Sequence, residues 1–394
     1  MANVSSSNGL EKRPKLRFPG FDEPYKQCRI GDIYAERSRR GASDMELLSV
    51  TMNDGVKPRS EIEGKDNSSE DKSNYKIVRK GDMVYNSMRM WQGANGISPC
   101  DGIVSPAYTV LMPKQEINNG YFAALFKSAN LINEFRKNSQ GMTSDTWNLK
   151  YPQIETIKVQ VPSVSEQDKV SELFGVLDAR IVAQAQLIEA LKKYKRGVNN
   201  QILSQIDNSY NCRLGSVCEI VGGGTPDTLH TEYWGNTVEW FTPSEIGKTK
   251  YVNNSVRKLS DIGLDNSSAK LLPIGTVLLT TRATLGEMSI AKRECSTNQG
   301  FQSLIPHTDR VSSEYLYYMQ IIIKPWCEKY ASGNTFREIS KSALSDCIIP
   351  IPDRARQEQI VKLLSSIDML IGAAESISMS LSKIRHGLMQ QLFI

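Results

Sequence analysis

The chain has 394 residues, of which 40% are hydrophobic and 23% charged, with a formal net charge of +5. That composition excludes a globally disordered chain, and the length suits two or three domains of about 150 residues each. No apolar run approaches the roughly 18 residues of a membrane helix, and the polar start lacks the apolar stretch of a secretory signal. Seven scattered cysteines without a Cys-x-x-Cys pair argue against a disulfide framework or a zinc site and indicate a reduced, cytoplasmic protein.

The predicted elements alternate along the chain between globular domains and long helices. Residues 1–20 are expected to be a flexible tail. Within each domain, short apolar–polar alternations bounded by Gly, Pro and Asn predict β-strands, and residues 121–137 and 314–330 each predict a helix. The fold class is therefore α+β. The predicted bounds are a first domain over residues 21–162, a first long helix over 163–206, a second domain over 207–352 and a second long helix over 353–394.

The two halves of the chain repeat each other at an offset of 190 residues. Residues 161–203 align with 351–393 without a gap, and ten of the aligned pairs are identical. Because an insertion would rotate every later side chain onto another face, a gap-free match of this length is typical of helices. The segments before each helix match more weakly, so the domains repeat as well. The identical pairs include Gln167 with Gln357 and Asp178 with Asp368, and the weaker matches are residues 80–84 with 274–278 and 108–113 with 301–306.

Apolar residues recur in steps of three and four along both long helices and predict a coiled-coil seam. Neither helix can bury this stripe alone, so the two are predicted to pair with each other as an antiparallel coiled coil in a pseudo-twofold molecule. The alternative is two unrelated amphipathic helices on separate cores. The predicted seam is Val170, Leu173, Leu177, Arg180, Gln184, Leu187, Leu191, Tyr194 and Val198 in the first helix, and Ile360, Leu363, Ile367, Leu370, Ala374, Ile377, Leu381, Ile384 and Leu388 in the second.

Two similar domains joined by a paired rod match the symmetry of duplex DNA, whose half-sites lie about 34–36 Å apart when one turn separates them. Symmetry alone also allows a scaffold that carries two domains for ligands other than nucleic acid. The sequence contains no P-loop, no Gly-x-Ser-x-Gly elbow, no His-Glu-x-x-His and no adjacent prolines of the kind found in amino-methyltransferases. These absences argue against the third hypothesis, an enzyme that acts alone.

Several motifs of the second domain, together with the two long helices, carry a resemblance that covers nearly the whole chain. Any one motif would be weak, but the set is specific. The chain resembles the specificity (S) subunit of type I restriction–modification systems. The motifs are Gly-Gly-Thr-Pro at 223–226, Tyr-Trp-Gly at 233–235, Trp-Phe-Thr-Pro-Ser-Glu-Ile at 240–246, Thr-Arg-Ala-Thr-Leu-Gly at 281–286, Asn-Gln-Gly-Phe at 298–301, Ser-Gly-Asn-Thr at 332–335 and the helix that follows Ile351 and Pro352.

The resemblance implies two target-recognition domains, each of which reads one half of a split site in double-stranded DNA. It implies that the long helices space these domains and dock two modification (methyltransferase) subunits. Those subunits hold S-adenosylmethionine and methylate adenine, whereas this chain binds no cofactor and is not itself catalytic. Restriction (translocase) subunits join the full complex when cleavage is required, and no membrane is involved. The first domain departs from the motifs, because Ser105-Pro106-Ala107-Tyr108 stands where the second has Asn-Gln-Gly-Phe.

Residues that contact DNA are expected on loops, from which Arg, Asn, Gln, Ser and Thr reach phosphates and base edges. For Arg282, contact with guanine and an ion pair with a carboxylate are equally open. Asn298 also suits a turn, and tryptophans often belong to a core. The candidate DNA-binding residues are Asn86, Arg89, Thr143, Ser144 and Trp147 in the first domain, and Thr225, Arg282, Thr284, Asn298, Gln299, Thr335 and Arg337 in the second. No catalytic residue and no metal ligand is assigned.

Overall fold

The computed structural model describes residues 2–3, 13–41, 44–52, 55–66, 68–207, 210–333 and 337–394. The chain divides into two compact units. Unit 1 comprises Met1–Gln186 and Glu375–Ile394, and unit 2 comprises Leu187–Ala374. Each unit therefore combines one globular domain with a part of each long helix, as antiparallel pairing of the helices predicts.

The first domain, in unit 1, is built on a four-stranded antiparallel sheet. Its strands lie in the order Tyr34–Glu36, Tyr108–Pro113, Met83–Asn86 and Asn95–Ile97. Among the described residues, unit 1 also has four two-stranded antiparallel ladders: Ala2–Asn3 with Leu16–Arg17, Lys26–Arg29 with Lys158–Val161, Leu48–Thr51 with Gly55–Pro58, and Lys76–Val78 with Gly102–Val104. The helices are Ile30–Ile33, Asn119–Leu125, Ala129–Asn138 and Tyr151–Ile154, with short 3-10 turns at Arg59–Glu61 and Met90–Gln92.

The second domain, in unit 2, is built on a five-stranded sheet whose first four strands repeat the order found in the first domain. Those strands are Cys218–Gly222, Gln302–Pro306, Val277–Leu279 and Met288–Ala291, and Tyr251–Val252 adds a fifth, parallel strand. A three-stranded sheet joins Arg257–Leu259, Trp234–Phe241 and Cys295–Thr297, and Asn211–Arg213 pairs with Ile348–Pro350. The helices are Asp261–Asp265, Ser313–Tyr318, Gln320–Tyr330 and Lys341–Ser345, with 3-10 turns at Leu214–Ser216, Thr231–Tyr233 and Pro243–Glu245.

These two sheets confirm the predicted α+β class and the repeat of strands between domains. The prediction of one continuous helix in each domain is wrong, because both helices are interrupted. In the first domain the break falls before Ala129, where the Ser128 hydroxyl accepts a hydrogen bond from the backbone N–H of Leu131 and so caps a new helix. Serine is favoured at this position because it satisfies an N–H that has no partner inside the helix.

The long helices span Val164–Ser204 and Arg354–Leu392. Each begins just after the proline that the sequence marks, and equivalent glutamines tie each start to its own domain. The Gln167 side chain donates to the Pro162 carbonyl (3.0 Å) and accepts from the Asn118 N–H (3.0 Å). The Gln357 side chain donates to the Pro352 carbonyl (2.9 Å) and accepts from the Ser312 N–H (3.1 Å). The repeat thus preserves the hydrogen bonds of a buried glutamine as well as a hydrophobic pattern.

Within each unit the two long helices run antiparallel. In unit 1, Arg385 donates to Asp178 (Nε–Oδ1 2.5 Å), and the rings of Phe174 and Phe393 stack at 5.6 Å. In unit 2, Lys195 pairs with Asp368 (2.5 Å). At the offset of the repeat, Asp178 is the counterpart of Asp368 and Lys195 the counterpart of Arg385. The same cation–carboxylate pair therefore occurs once in each unit, with the two helices exchanging roles.

The predicted heptad seam is wrong at every second position of the second helix. Leu363, Leu370, Ile377 and Ile384 are 46%, 58%, 47% and 52% exposed. The helix carries two adjacent apolar stripes, and the cores of the units bury the other one. The buried stripe contains Ile360, Leu364, Ile367, Ile371 and Ala374. In the first helix, too, the buried stripe lies beside the predicted one. The predicted members Leu187 and Tyr194 are exposed, while Phe174 and Ile188 are buried.

Part of the segment predicted as a flexible tail packs against the first domain. Arg17 is buried, and its guanidinium donates to both carboxylate oxygens of Glu166 (2.9 and 2.8 Å) at the start of the first long helix. Residues 4–12 of that segment lie outside the described residues. Of the helices that the structure describes, none is both long and apolar enough to span a membrane.

Candidate nucleic-acid interface

The most unusual backbone of the second domain lies in the loop that follows Val277–Leu279. Ala283 has a φ of 58°, and it is the one non-glycine residue with positive φ in the described part of the chain. The Thr284 N–H donates to the Arg282 carbonyl (2.6 Å), which closes a three-residue γ-turn around Ala283. Such a turn is strained for a residue with a Cβ atom. It sets the flanking Arg282 and Thr284 on a tight, partly exposed bend.

The structure shows what Arg282 contacts. Its guanidinium pairs with the Glu338 carboxylate (Nη2–Oε2 2.8 Å), and the two side chains are 42% and 34% exposed. The second oxygen of Glu338 accepts a hydrogen bond from the hydroxyl of Thr281 (3.3 Å). The ion-pair alternative for Arg282 is therefore realised in the free protein, but with the guanidinium still accessible to solvent.

A second group of candidates surrounds the Gly-Gly-Thr-Pro loop. The Thr225 hydroxyl donates to the side-chain oxygen of Gln299, and both residues are exposed. Gly223 is needed here because a Cβ atom would lie 2.0 Å from the carbonyl oxygen of Asn298. The Asn298 side chain accepts from the Gly300 N–H (2.9 Å), the turn role that was one of its alternatives. The Thr284 hydroxyl is next to this group, 3.4 Å from the Pro243 carbonyl.

Arg337 serves a helix end. Its guanidinium donates to the carbonyls of Glu328 (2.5 Å) and Ala331 (3.5 Å) at the C-terminus of Gln320–Tyr330. A cation at that position satisfies carbonyls that have no partner in the helix and complements the helix dipole. The candidate Thr335 lies outside the described residues.

In the first domain, two candidates lie in the loop after Met83–Asn86. The Asn86 side chain accepts from the Met88 N–H (3.0 Å), and its carbonyl accepts from the Arg89 N–H (2.9 Å). Asn86 thus shapes the turn. The Arg89 side chain is exposed and makes no recorded hydrogen bond or ion pair within the described part of the chain, so its guanidinium faces solvent.

The remaining candidates of the first domain lie on a loop closed by a backbone bridge between Gln140 and Asn148 (3.0 and 2.8 Å). Trp147 is half-buried and meets Trp91 edge to face, with ring centroids 5.2 Å apart. Arg136 lies over the Trp91 ring at 5.8 Å. Thr143 and Ser144 are exposed at the tip, where Thr143 is hydrogen-bonded to Thr146. The structure therefore brings the candidates of the first domain together as two adjoining loops.

Comparison with protein families decides what these domains are. The family model described as "Type I restriction modification DNA specificity domain" matches the chain twice, over residues 23–193 and 207–379. The chain belongs to this family. Each match begins in one of the two globular domains and continues into the long helix that follows it.

A specificity subunit is among the relatives of this chain. The chain is 35% identical over 186 residues to the specificity subunit of the type I restriction enzyme MjaIX from Methanocaldococcus jannaschii. That match covers 46% of this chain and 43% of the relative, so it spans less than half of the relative's length.

Solved structures share the fold. A chain from a study of complex assembly and conformational transition of the type I R-M system matches with a TM-score of 0.61 and 19% identity, covering 96% of this chain and 99% of that one. The type I restriction–modification S subunit from M. genitalium matches with a TM-score of 0.59 and 14% identity, covering 97% and 99%.

Equivalent backbone hydrogen bonds hold the candidate loops in each of the two specificity domains, and we call this shared arrangement the frame. The Ser87 N–H donates to the Ala107 carbonyl in the first domain, as the Thr281 N–H donates to the Gly300 carbonyl in the second. The Gln140–Asn148 bridge of the first domain corresponds to a bridge between Ser332 and Glu338 in the second (3.0 and 2.9 Å). Asn148 is thus the counterpart of Glu338, and the residue that follows Ser87, Met88, is the counterpart of Arg282.

Sequence reasoning did not predict that Glu338 and Trp91 belong to these loops, or that Arg136, on the helix Ala129–Asn138, covers Trp91. Glu338 is 56 positions from Arg282, and no spacing rule connects them. Tryptophans such as Trp91 and Trp147 more often belong to a core than to a contact surface. Among the described residues, no group of three or more His, Cys, Asp or Glu side chains is arranged to hold a metal ion.

Proposed function

We propose that this chain is the DNA-recognition subunit of a type I restriction–modification complex and that it is not itself catalytic. Each specificity domain would read one half of a bipartite site in double-stranded DNA. The observation that carries the proposal is the duplication of a family domain whose two copies present solvent-accessible polar loops from the same frame. Loops that carry Arg, Thr, Asn and Gln on a rigid sheet suit contacts with phosphates and base edges.

The test is methylation mapping of the host genome with and without the gene for this chain. We expect adenine methylation to disappear at one bipartite motif and to return when the gene is restored. An unchanged methylome contradicts the proposal. A scaffold for other ligands, the second candidate function, predicts no salt-dependent binding of the assembled complex to the motif.

The proposed partners are two modification subunits, which carry S-adenosylmethionine and perform the methyl transfer, and restriction subunits that join for cleavage. The exposed apolar stripe of the second long helix supports a docking role. Its members Leu363, Leu370 and Ile377 recur every seven residues and are about half exposed. A stripe at this spacing lies on one helix face, and apolar area on such a face is what a partner helix or groove buries.

A charge placed on the stripe tests the docking role. We expect Leu370→Glu to abolish co-purification of the modification subunits without lowering the thermal midpoint of the isolated chain. The matched control is Met379→Glu. Met379 is 61% exposed on the same helix, but it lies about 180° around the helix axis from Leu370. Normal co-purification of Leu370→Glu, or equal loss with both variants, contradicts docking on this stripe.

We also propose a cytoplasmic location, where the host DNA and the partner subunits meet. All seven cysteines are free thiols, and four of them are buried. A chain with unpaired buried thiols suits a reducing compartment.

A further inference from the structure

The ion pair between Arg282 and Glu338 lies on an accessible loop of the second domain. Arg282 stands beside the strained residue Ala283, whose φ is 58°. The loop around it is held in place: the Thr281 N–H donates to the Gly300 carbonyl (2.8 Å), and the Gly286 N–H donates to the Thr280 carbonyl (2.8 Å). Strain that surrounding hydrogen bonds maintain on an exposed bend is characteristic of functional sites.

Glu338 is fixed from two directions. Its backbone is bridged to Ser332 by two hydrogen bonds (3.0 and 2.9 Å), and one carboxylate oxygen accepts from the Thr281 hydroxyl (3.3 Å). The other oxygen binds Nη2 of Arg282 (2.8 Å). The Glu338 carboxylate is therefore held by its own backbone and by Thr281, and it in turn holds the Arg282 guanidinium.

The guanidinium has more donors than this contact uses. Arginine carries five N–H donors in a planar fork, and the structure records only the pairing with Glu338 for the Arg282 side chain among the residues it describes. Guanine offers two acceptors, O6 and N7, in the major groove, and a planar arginine engages both at once. An arginine tethered on one edge by a carboxylate loses less conformational freedom when the other edge binds a base.

We propose that Glu338 is a specificity-determining residue of the second domain, which positions the Arg282 guanidinium to read a guanine in the second half-site. This inference rests on the proposed function. The ion pair also reduces the net charge that Arg282 offers to phosphates. Glu338 therefore favours base reading over sequence-independent attraction to the DNA backbone.

A purely structural ion pair predicts different behaviour. A pair in which both side chains are more than a third exposed contributes little to folding, because water and salt screen it. If the pair only supported the loop, its removal would weaken binding to every duplex by the same factor. A positioning role instead changes the ratio between matched and substituted duplexes at one base pair.

The experiment uses the assembled complex of this chain with its modification subunits and duplexes that carry the mapped bipartite motif. Each base pair of both half-sites is substituted in turn, and the ratio of affinities is measured for the wild type and for Glu338→Gln, Arg282→Lys and Arg282→Ala. Glu338→Gln keeps an acceptor for Thr281 and removes the charge. Arg282→Lys keeps the charge and removes the fork, so it separates base reading from the ion pair.

We expect each of the three variants to lower discrimination about tenfold or more at one G·C pair of the second half-site and to leave the first half-site unchanged. Glu338→Gln should also steepen the salt dependence of binding to unrelated DNA, because Arg282 becomes free to contact phosphate. The matched control is Asp346→Asn in the same domain, since Asp346 pairs with Arg213 at 3.6 Å with both side chains well exposed. It should retain wild-type discrimination.

Three results overturn the inference: a second half-site without a G·C pair, wild-type discrimination in Glu338→Gln, or an equal loss at all positions of both half-sites. Failure of the proposed function looks different. In that case the wild-type complex itself does not prefer the bipartite duplex over unrelated DNA.

Discussion

The loops of the two specificity domains show one frame that carries two different sets of side chains. In each domain a backbone bridge closes one of the candidate loops. The bridge joins Gln140 and Asn148 in the first domain and Ser332 and Glu338 in the second. The loops of the second domain carry the ion pair of Arg282 and Glu338, together with threonine hydroxyl groups. The first holds an edge-to-face tryptophan pair, an overlying arginine and an exposed methionine, Met88.

In this fold, the backbone hydrogen bonds that hold the loops are separate from the side chains proposed to read bases. The bridges need only backbone N–H and C=O groups, so they do not depend on which side chains the loops carry, apart from Gly141 and Gly333 at positive φ. Under the proposed function, the side chains of these loops then determine which bases each domain reads. Charged and hydroxyl groups suit hydrogen bonds at base edges, whereas aromatic and sulfur-containing groups suit contacts with apolar base surfaces.

The largest effect is expected from a change in the long helices, to which both domains are attached. Four residues inserted within 182–186 separate Asp178 from Lys195 by an extra ~6 Å and turn the helix by about 40°. Only one of the two ion pairs with the second helix then keeps its register. We expect affinity for the bipartite motif to fall about 10³-fold or more, to the level of unrelated DNA.

A compensated variant sharpens that prediction. Seven residues inserted both within 182–186 and within 372–376 preserve the heptad phase and restore both ion pairs. We expect the methylated motif to keep the bases of both half-sites and to change only in the number of base pairs between them, as read by methylation mapping. Altered half-site bases would show that the loops do not read independently of the helices.

Removal of an aromatic group tests the first domain alone. Trp147→Ala deletes the partner of Trp91, an edge-to-face contact worth about 0.5–1.5 kcal/mol. If this pair forms part of the reading surface, discrimination at the first half-site falls up to about tenfold while that at the second stays constant. Trp147→Phe, which keeps a ring, is expected to recover most of the loss. Equal loss at both half-sites would indicate a folding defect.

The smallest expected effect concerns thiol reactivity, which differs between the buried cysteines, all in the second domain, and the half-buried ones. Burial raises the pKa of Cys218, Cys295, Cys327 and Cys347, all in the second domain, to about 12. Because the thiolate is the reactive form, these four should resist alkylation of the native chain at pH 8. Mass spectrometry should find labels only at the half-buried Cys28, Cys100 and Cys212, and at all seven after denaturation. Rapid native labelling of Cys347 would contradict a closed second-domain core.

The long helices show why part of the fold follows from the sequence. A gap-free repeat with apolar residues every three or four positions already requires two equivalent helices with buried faces. It does not decide which of two neighbouring apolar stripes is buried. Leu363 and Leu364 are both leucines, yet Leu364 is buried and Leu363 is 46% exposed, because the globular domain packs on one stripe only.

The candidate sites divide in the same way. Motifs located the loops around Arg282, Thr225 and Trp147, because glycines and turn residues mark loops in any sequence. They did not reveal that Arg337 caps a helix or that Glu338 holds Arg282. Those contacts join residues that come close only after the chain has folded.

The amino-acid sequence alone predicts two like α+β domains, two long amphipathic helices and membership of a DNA-specificity family. Each of these properties is written in local periodicity or in motifs of adjacent residues. The folded structure was needed to show which helix face is buried, which residues form the ion pairs between the helices, and which carboxylate faces the guanidinium of Arg282. The physical reason is that packing and ion pairing depend on distances between residues far apart in the chain, and spacing along a sequence does not encode those distances.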